Sequence, residues 1–307
     1  MKQIPPLAGC WIYTFHFFMS YRKVNRLLYA EQINMSGLMV RQPFPTQQVD
    51  KIDPFLLLHH GRIKIPAERN ALTLGVGPHP HRGFSPITFV YEGAVHHRDS
   101  RGNSSVVVVG GTQWMHAGMG IIHSERPSQE LADEGGYMEI IQLWLNVPQK
   151  NKMVQPEYQP LSAENTPSWN DETGKVKVGV VAGNYKGIQG PIKTFTSVNA
   201  LRVEIKDQGE HEFSIPATHN CFLYLIKGKL QLAGYGVVEN KHLVLFENNA
   251  ENFKITARED SQLLVMSGAP IKEPIAQQGP FVMNTDTEIL VAMRDYQMGK
   301  MGILIEE

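Results

Sequence analysis

Short β-type segments separated by turn signals are the feature that most restricts the fold of this chain. Between residues 49 and 147, runs of β-branched and aromatic residues alternate with turns that contain glycine. The clearest runs cover 84–92, 106–109 and 137–147. Turns at intervals of about 8–12 residues, without a helical period between them, are typical of β-sandwiches and β-barrels. The sequence therefore predicts an all-β fold.

The second half of the chain has the same rhythm. Its strand candidates are short apolar runs bounded by Gly, Asn, Asp or Pro, and they lie at 201–205, 222–226, 230–232, 243–246, 253–255 and 263–266. Near the end, Thr285 and Glu288 have the spacing of a capping box and precede a run of apolar residues. This pattern predicts one helix over residues 286–298.

A change in composition separates the two halves. Residues 148–174 contain four prolines among polar residues, which is typical of a linker. We therefore predict an N-terminal extension at 1–35, a first β unit at 36–147 and a second β unit with the helix at 175–307.

Composition excludes several classes of protein. The 307 residues are 42% hydrophobic and 19% charged, which excludes a disordered chain or a coiled coil. A formal net charge of -1 argues against direct binding to nucleic acid or to an anionic membrane. The apolar run at 11–19 is shorter than the roughly 20 residues of a membrane span, and its flanks differ from those of an export signal. Two cysteines, Cys10 and Cys221, favour a reducing, cytoplasmic location.

Histidines concentrate in the first half. Eight of the twelve lie within residues 59–123. His79 and His81 are two residues apart, so extended backbone directs both to the same side. His123 and Glu125 have the same spacing in a similar context. Two adjacent strands would bring together three imidazoles and one carboxylate, which suits iron, manganese, copper or nickel with open positions better than a closed zinc site.

A simpler interpretation of the same residues remains. Each histidine could be hydrogen-bonded within the β unit, with Glu125 a surface carboxylate; the two separate pairs, each framed by glycines, argue against this interpretation. We predict that the remaining histidines of the region are mostly structural or are hydrogen-bond partners of the ligands. These are His59, His60, His96, His97 and His116.

Several stretches around these histidines resemble the pirin family of bicupins, and the resemblance extends over about residues 36–300. The stretches are PHPHRGFSPITFVYEG at 78–93, HRDSRGN at 97–103, QWMHAGMGIIHSE at 113–125, DPFLLL at 53–58 and GPFVMNT at 279–285. The resemblance implies a bicupin fold, with two antiparallel β-barrel (jelly-roll) domains and a C-terminal helix.

The resemblance also implies one metal site. The ligands of the family's iron fall on His79, His81, His123 and Glu125. The cofactor is then one divalent metal ion, with Fe(II) the first choice and Mn, Cu, Ni or Zn as alternatives. In the second unit, His219 stands where a cupin motif would lie, but no H-x-H is present. We therefore expect a degenerate second barrel without metal.

This chain departs from the usual pirin pattern at two places. His59 and His60 replace an acidic pair that often follows the DPFLLL run, and His116 stands where a small hydroxyl residue is common. Either departure could alter the fit of a substrate or the binding of a partner.

The resemblance implies two alternative functions. The first is a dioxygenase that opens flavonols such as quercetin with O2, in which Glu125 also acts as general base. Its partners would be a small aromatic substrate and O2, without nucleic acid or membrane. The second is an iron-redox-sensing regulator that acts on a protein partner without catalysis. Phe84, Trp114 and Met115 are candidates for an apolar wall of the site, but packing in the core is the interpretation that we favour for each residue taken alone.

Overall fold

The computed structural model describes residues 21–35 and 37–306. The apolar run at 11–19 and Cys10 lie outside the described residues. Within the described ranges the chain forms 26 strands and two α-helices.

Thirteen strands precede residue 171. They are β1 (Val24–Tyr29), β2 (Glu31–Met35), β3 (Leu38–Phe44), β4 (Phe55–Ile65), β5 (Val76–His81), β6 (Phe84–Glu92), β7 (Ala94–Asp99), β8 (Ser104–Val108), β9 (Thr112–His116), β10 (Ile121–Pro127), β11 (Gly136–Asn146), β12 (Glu157–Leu161) and β13 (Ser168–Asn170). Helix α1 (Gln129–Glu134) and short 3-10 helices at Ala71–Thr73 and Gln149–Asn151 interrupt them.

The remaining strands end in a helix. They are β14 (Val176–Ala182), β15 (Asn184–Tyr185), β16 (Ile188–Gln189), β17 (Val198–Ile205), β18 (Glu210–Ser214), β19 (Asn220–Lys227), β20 (Lys229–Leu232), β21 (Gly236–Glu239), β22 (His242–Phe246), β23 (Asn252–Ala257), β24 (Ser261–Gly268), β25 (Ala276–Gln278) and β26 (Phe281–Met283), followed by α2 (Asp286–Gln297).

Each half forms a sandwich of one large and one small sheet. In the first unit the sheets have the orders β12-β9-β6-β11-β4-β3-β2 and β5-β10-β7-β8. In the second unit the orders are β1-β22-β19-β24-β17-β14-β13 and β18-β23-β20-β21. The strand pairs within all four sheets are antiparallel. The predicted all-β jelly-roll fold with a C-terminal helix is confirmed, although the units are open sandwiches and not closed barrels.

Segments that we predicted to be an extension and a linker contribute strands to the sheets. In the segment 1–35, β1 pairs with β22 of the second unit and β2 pairs with β3 of the first. In the segment 148–174, β12 extends the large sheet of the first unit and β13 that of the second. The segments before and after the first sandwich therefore each contribute strands to both units. The limits of the two domains stay a prediction.

The two large sheets pack against each other through an apolar core. The ring of Phe222 from the second unit meets Phe44 and Phe55 from the first edge-on, with centroids 5.7 and 5.2 Å apart. Arg202 of the second unit also donates to the carbonyl oxygens of Gly111 and Val90 at 2.9 and 2.7 Å. The units therefore share one of the two largest cores.

The interiors of the two units differ. In the second unit, stacked rings of Phe213, Phe253 and Phe246 lie in a large apolar core, with neighbouring centroids 4.8 and 4.5 Å apart. In the first unit the fully buried part of the interior core is small; it consists of Ile65, Val90, Val95, Val107 and Met138. This difference leaves room in the first unit for a cavity.

Helix α2 begins as predicted. The Thr285 side chain accepts from the Glu288 backbone while the Glu288 side chain accepts from the Thr285 backbone, which completes the capping box. The helix ends at Gln297, one residue before the predicted end. Ile289 and Ala292 bury its inner face in a small apolar cluster. Among the described residues, no helix combines the length and apolar character needed to cross a bilayer.

Candidate metal centre

The two predicted motifs lie on adjacent antiparallel strands. His123 of β10 is paired with His79 of β5, and Ile121 is paired with His81. Strand β5 is the outer strand of its sheet, so Pro78 removes a hydrogen-bond donor where few are needed. The register shifts between His123 and Glu125. Strand pairing therefore brings both motifs to one end of the small sheet.

Three imidazoles converge at this place. Ligand nitrogens of His79, His81 and His123 all lie within 4.8 Å of one another. Ring centroids are 4.7 Å apart for His79 and His81, 4.4 Å for His79 and His123, and 4.9 Å for His81 and His123. His81 and His123 are buried, and His79 is partly buried. Glu125 is not a member of this group.

Hydrogen bonds assign the tautomers of the first two rings. Nδ1 of His79 lies 2.8 Å from the Gly77 carbonyl oxygen, and Nδ1 of His81 lies 3.4 Å from that of Pro280. A carbonyl oxygen only accepts, so each Nδ1 carries the proton and each Nε2 carries a lone pair. These two Nε2 atoms are 3.1 Å apart. Two lone pairs this close repel each other unless a cation lies beside them.

A neighbouring histidine and aspartate assign the third tautomer. In a neutral His97 ring, Nε2 donates to Asp99 at 3.1 Å and Nδ1 then accepts from Nδ1 of His123 at 3.4 Å. The lone pair of His123 therefore lies on Nε2, which is buried and has no hydrogen-bond partner in the described part of the chain. Three lone pairs thus converge without a proton among them, and this donor set fits a divalent metal ion.

Burial keeps the rings of His81 and His123 neutral. Desolvation, followed by the neighbouring histidines, holds the pKa of His81 and of His123 well below its ordinary value. Neutral imidazole is the form that coordinates a metal. The electrostatics and the hydrogen bonds therefore favour the same protonation state.

Glu125 is buried and held by neutral donors. Its Oε1 accepts from the Thr88 hydroxyl at 2.6 Å and from the Gln113 amide, and its Oε2 accepts from the Gln142 amide at 2.6 Å. Within residues 21–35 and 37–306, no Lys, Arg or His forms an ion pair with this carboxylate. A buried carboxylate without a cationic partner is unfavourable. A metal ion beside it would supply the missing positive charge.

Asp99 is itself fixed by its own loop. It accepts from the backbone amides of Arg101 and Asn103 at 2.8 and 3.1 Å, and from the Asn103 side chain at 2.7 Å. The His97 ring stacks on Tyr158, with centroids 3.9 Å apart and planes at 5°. The HRDSRGN stretch therefore holds the partner of a candidate ligand in one orientation, which agrees with the predicted role of His97.

A cavity of about 850 Å³ opens beside the histidines. His79, His81 and Glu125 lie in its wall. Most of the remaining wall is apolar and includes Val40, Ile63, Ile65, Met138, Ile140 and Trp144. This volume is within the roughly 300–1,000 Å³ of pockets for small ligands. The cavity therefore has room for an aromatic ligand of several rings.

The lining of the cavity, as far as the structure describes the chain, includes none of the three candidates for an apolar wall, and all three pack in apolar clusters instead. Trp114 packs in the core between the units, because it lies on the other face of its sheet. Met115 packs with Ala117 and Ile121. Phe84 contacts the rings of His81 and Trp144, with centroids 5.1 and 4.4 Å away, and so packs against a candidate ligand.

Strand β11 supplies four of the wall residues that the sequence analysis missed. Met138, Ile140, Gln142 and Trp144 line the cavity, whereas Ile141 and Leu143 between them face the core shared by the units. This alternation is the period of a strand with two buried faces. The alternation along β11 is visible in the sequence. Because the residues on both faces are largely apolar, it does not show which face lines the cavity.

The other histidines of the first unit have separate partners. His60 lies between Tyr224 of the second unit and Glu139, each at 2.9 Å. His116 lies 3.1 Å from the Ser85 hydroxyl. His96 hydrogen-bonds Ser104 near the surface. His59 differs from these because it lines the cavity.

In the second unit, the position that corresponds to the His79–His81 pair differs from the one that we predicted. Strand β18 has the outer position in its sheet that β5 has in the first unit. It carries His211 and Phe213, so a phenylalanine stands at the second position of the pair. His211 hydrogen-bonds Tyr185 at 2.6 Å. His219, which we expected at this place, precedes β19 and lies 3.3 Å from the hydroxyls of Ser197 and Ser267.

Two jelly-roll sandwiches, one with three converging histidines, define a bicupin. Comparison with known families identifies the family within the bicupins. The family described as "Pirin" matches residues 37–145, and "Pirin C-terminal cupin domain" matches residues 200–302. The chain belongs to the pirin family.

Individual proteins agree with this assignment. A "Pirin-like protein" of Solanum lycopersicum is 34% identical over 91% of this chain and 92% of its own length. A "Putative quercetin 2,3-dioxygenase" of Pseudomonas aeruginosa is 36% identical over 86% of this chain and 92% of its own length.

Solved structures show the same fold. A quercetin 2,3-dioxygenase from Acinetobacter baumannii is 32% identical, has a TM-score of 0.86, and covers 93% of this chain and 100% of its own. A bacterial pirin from Escherichia coli in complex with nickel(II) has a TM-score of 0.64 at 20% identity, and covers 80% of this chain and 99% of its own.

Proposed function

We propose that this protein is a metal-dependent dioxygenase that opens flavonols such as quercetin with O2. The observation that carries the proposal is the convergence of three Nε2 lone pairs next to an apolar cavity, whose wall includes His79, His81 and the buried Glu125. The dioxygenase names of two relatives of at least 30% identity support it.

The proposed cofactor is one divalent metal ion, with Fe(II) the first choice and Mn, Cu, Ni or Zn compatible with the donors. The Nε2 atoms of His79, His81 and His123 would hold it, together with the carboxylate of Glu125. When bound, the metal supplies Lewis acidity, which lowers the pKa of a coordinated hydroxyl group, and redox chemistry toward O2.

The protein's own residues bind the substrate and accept its proton. Apolar side chains around the cavity bury a flat aromatic ligand and exclude water. A carboxylate oxygen of Glu125 accepts the proton of the substrate's 3-hydroxyl group. The donors Thr88, Gln113 and Gln142 fix the orientation of that carboxylate before the substrate binds.

The test combines metal analysis with loss of quercetin absorbance under air and under nitrogen. We expect about one metal ion per chain and turnover only under air. His123→Ala should lose both metal and turnover. The matched control His96→Ala, on a neighbouring strand and hydrogen-bonded to Ser104 alone among the described residues, should keep both. A metal-loaded wild-type protein without turnover would contradict the proposal and favour the regulator, whose partner should then bind in an iron-redox-dependent way.

A further inference from the structure

Four polar side chains form a row across the large sheet of the first unit. Neighbouring strands β4, β11, β6 and β9 place them directly opposite one another: His59, Gln142, Thr88 and Gln113. Paired residues of antiparallel strands point to the same face. Three of the four donate to Glu125, and His59 does not. His59 thus lies at one end of the polar row and is its one member without a hydrogen bond to Glu125.

The tautomer of His59 is assigned by the next strand. The Gln42 amide nitrogen donates to the Pro45 carbonyl oxygen at 2.6 Å, so the amide oxygen of Gln42 faces His59. Nε2 of His59 donates to that oxygen at 2.6 Å. The lone pair of the ring therefore lies on Nδ1.

Nδ1 of His59 is an acceptor without a donor. No hydrogen bond reaches it from the residues that the structure describes, and it is not fully buried among them. The residue lines the cavity. Burial lowers the pKa of His59 to about 4, so the ring stays neutral and Nδ1 stays an acceptor near neutral pH.

We propose that Nδ1 of His59 accepts a hydrogen bond from a second hydroxyl group of the bound ligand, which makes His59 a specificity-determining residue for polyhydroxylated aromatic compounds. This inference rests on the proposed function. His59 lies one strand beyond Gln142, and neighbouring strands are about 4.8 Å apart. A ligand of two or three rings that reaches Glu125 therefore also reaches His59.

The chemistry of the unpaired acceptor argues for this class of ligand. A ligand that fills the cavity removes water from Nδ1. If that ligand offers no donor, it leaves a buried acceptor unsatisfied, which weakens its binding. A phenolic hydroxyl group at that point compensates for the lost water. The cavity should therefore discriminate between ligands by hydroxylation away from the metal and not by size alone.

The test compares two flavonols that share the metal-binding group. Quercetin has additional ring hydroxyls, and 3-hydroxyflavone has none. Both would be titrated anaerobically into the metal-loaded wild-type protein and its His59→Phe variant. We expect His59→Phe to weaken quercetin about 5- to 10-fold, because one hydrogen bond is lost. Binding of 3-hydroxyflavone should change by less than about twofold.

A second variant separates recognition from structure. In His59→Asn the amide oxygen takes the place of Nδ1, so quercetin binding should return to within about threefold of the wild type. Equal weakening of both flavonols, or no weakening of either, would overturn the role of His59 while the proposed function stands. If neither flavonol binds the metal-loaded wild type, the proposed function and this inference are both wrong.

Discussion

At the scale of single residues, the position of a few protons distinguishes this site from an ordinary cluster of buried histidines. Carbonyl oxygens of Gly77 and Pro280 hold the protons of two rings on Nδ1. The pair of His97 and Asp99 does the same for His123. Each remaining lone pair points to the same volume. Hydrogen bonds to the rear nitrogen of a ligand commonly orient it and raise its basicity.

The first prediction concerns the four proposed ligands. His79→Ala, His81→Ala and His123→Ala should each strip the metal, because each removes a strong donor. Glu125→Gln keeps a neutral oxygen but cannot accept a proton near neutral pH. Its turnover should fall by about 100-fold or more, while its metal content falls much less. Metal analysis and quercetin turnover on the same samples check this.

The outcome for Glu125→Gln separates two roles. If metal content and turnover fall in step, Glu125 is only a ligand and the base lies elsewhere. Full turnover with metal bound would show that the proposed role of this residue is wrong.

The second prediction concerns Asp99. In Asp99→Asn an amide nitrogen next to His97 would donate to Nε2 of that ring and move its proton to Nδ1. His123 would then carry its proton on Nε2, where the metal should bind. We expect the metal affinity to fall by about 10- to 100-fold, measured by competition with a chelator.

A control variant tests the tautomer explanation. Asn103→Ala removes one side-chain donor to Asp99 but leaves its carboxylate in place. It should change the metal affinity much less than Asp99→Asn. Equal losses in the two variants would show that the loop acts only as a scaffold.

Sequence reasoning found the candidate ligands but not the residues that hold them. H-x-H and H-x-E spacings are visible because each pair lies on one strand. Thr88, Gln113 and Gln142 come from three different strands, and they meet at Glu125 only through the register of the sheet. Register depends on long-range pairing, which a local pattern does not contain.

At the scale of the elements, strands with strong turn signals were predictable and edge strands were not. The run at 84–92 coincides with β6 because Gly83 and Gly93 bound it, both at positive φ. Strands β12 and β13 were missed since they are short and polar, and β12 contains Pro160. Such edge strands resemble linkers in composition.

The third prediction concerns the start of α2. Thr285→Ala removes the side-chain cap on the Glu288 amide, which should destabilise the first turn by about 1 kcal/mol. Hydrogen exchange of the Glu288 and Ile289 amides, which both bond to Thr285, should accelerate about fivefold. Thr287→Ala, two residues later and inside the helix, is the matched control and should leave the exchange nearly unchanged. Similar acceleration in both variants would contradict the capping box.

At the scale of the whole molecule, two sandwiches of the same topology have different interiors. The second unit fills its interior with aromatic side chains, and Phe213 stands where a second metal ligand would be needed. The first unit keeps a cavity and a polar row in the corresponding interior. The sequence predicted two units with one metal site. It did not predict the core that joins the large sheets, because both faces of those strands are apolar.

The fourth prediction concerns acid stability. Burial lowers the pKa of His211 from 6.5 to about 4 in the folded protein. Between these values the unfolded chain binds more protons, so stability is lost as the pH falls from about 6.5 to about 4. The contribution of His211 at pH 5 is about 2 kcal/mol. His211→Phe cannot bind the proton and should therefore lose about 2 kcal/mol less than the wild type between pH 7 and pH 5.

Urea unfolding followed by tryptophan fluorescence at both pH values measures this difference. The comparison cancels the other buried histidines, which both proteins share. If the two proteins lose the same stability on acidification, His211 is not a source of the acid sensitivity.

Oxygen consumption measured together with quercetin loss, on protein of known metal content, tests the central claim most directly. The claim is that the three-histidine cluster of the first unit and Glu125 form a dioxygenase centre. It predicts about one metal ion per chain and one O2 consumed for each quercetin lost, with no consumption by His123→Ala. Metal bound at one per chain in the wild type, with oxygen uptake no faster than in His123→Ala, would contradict it.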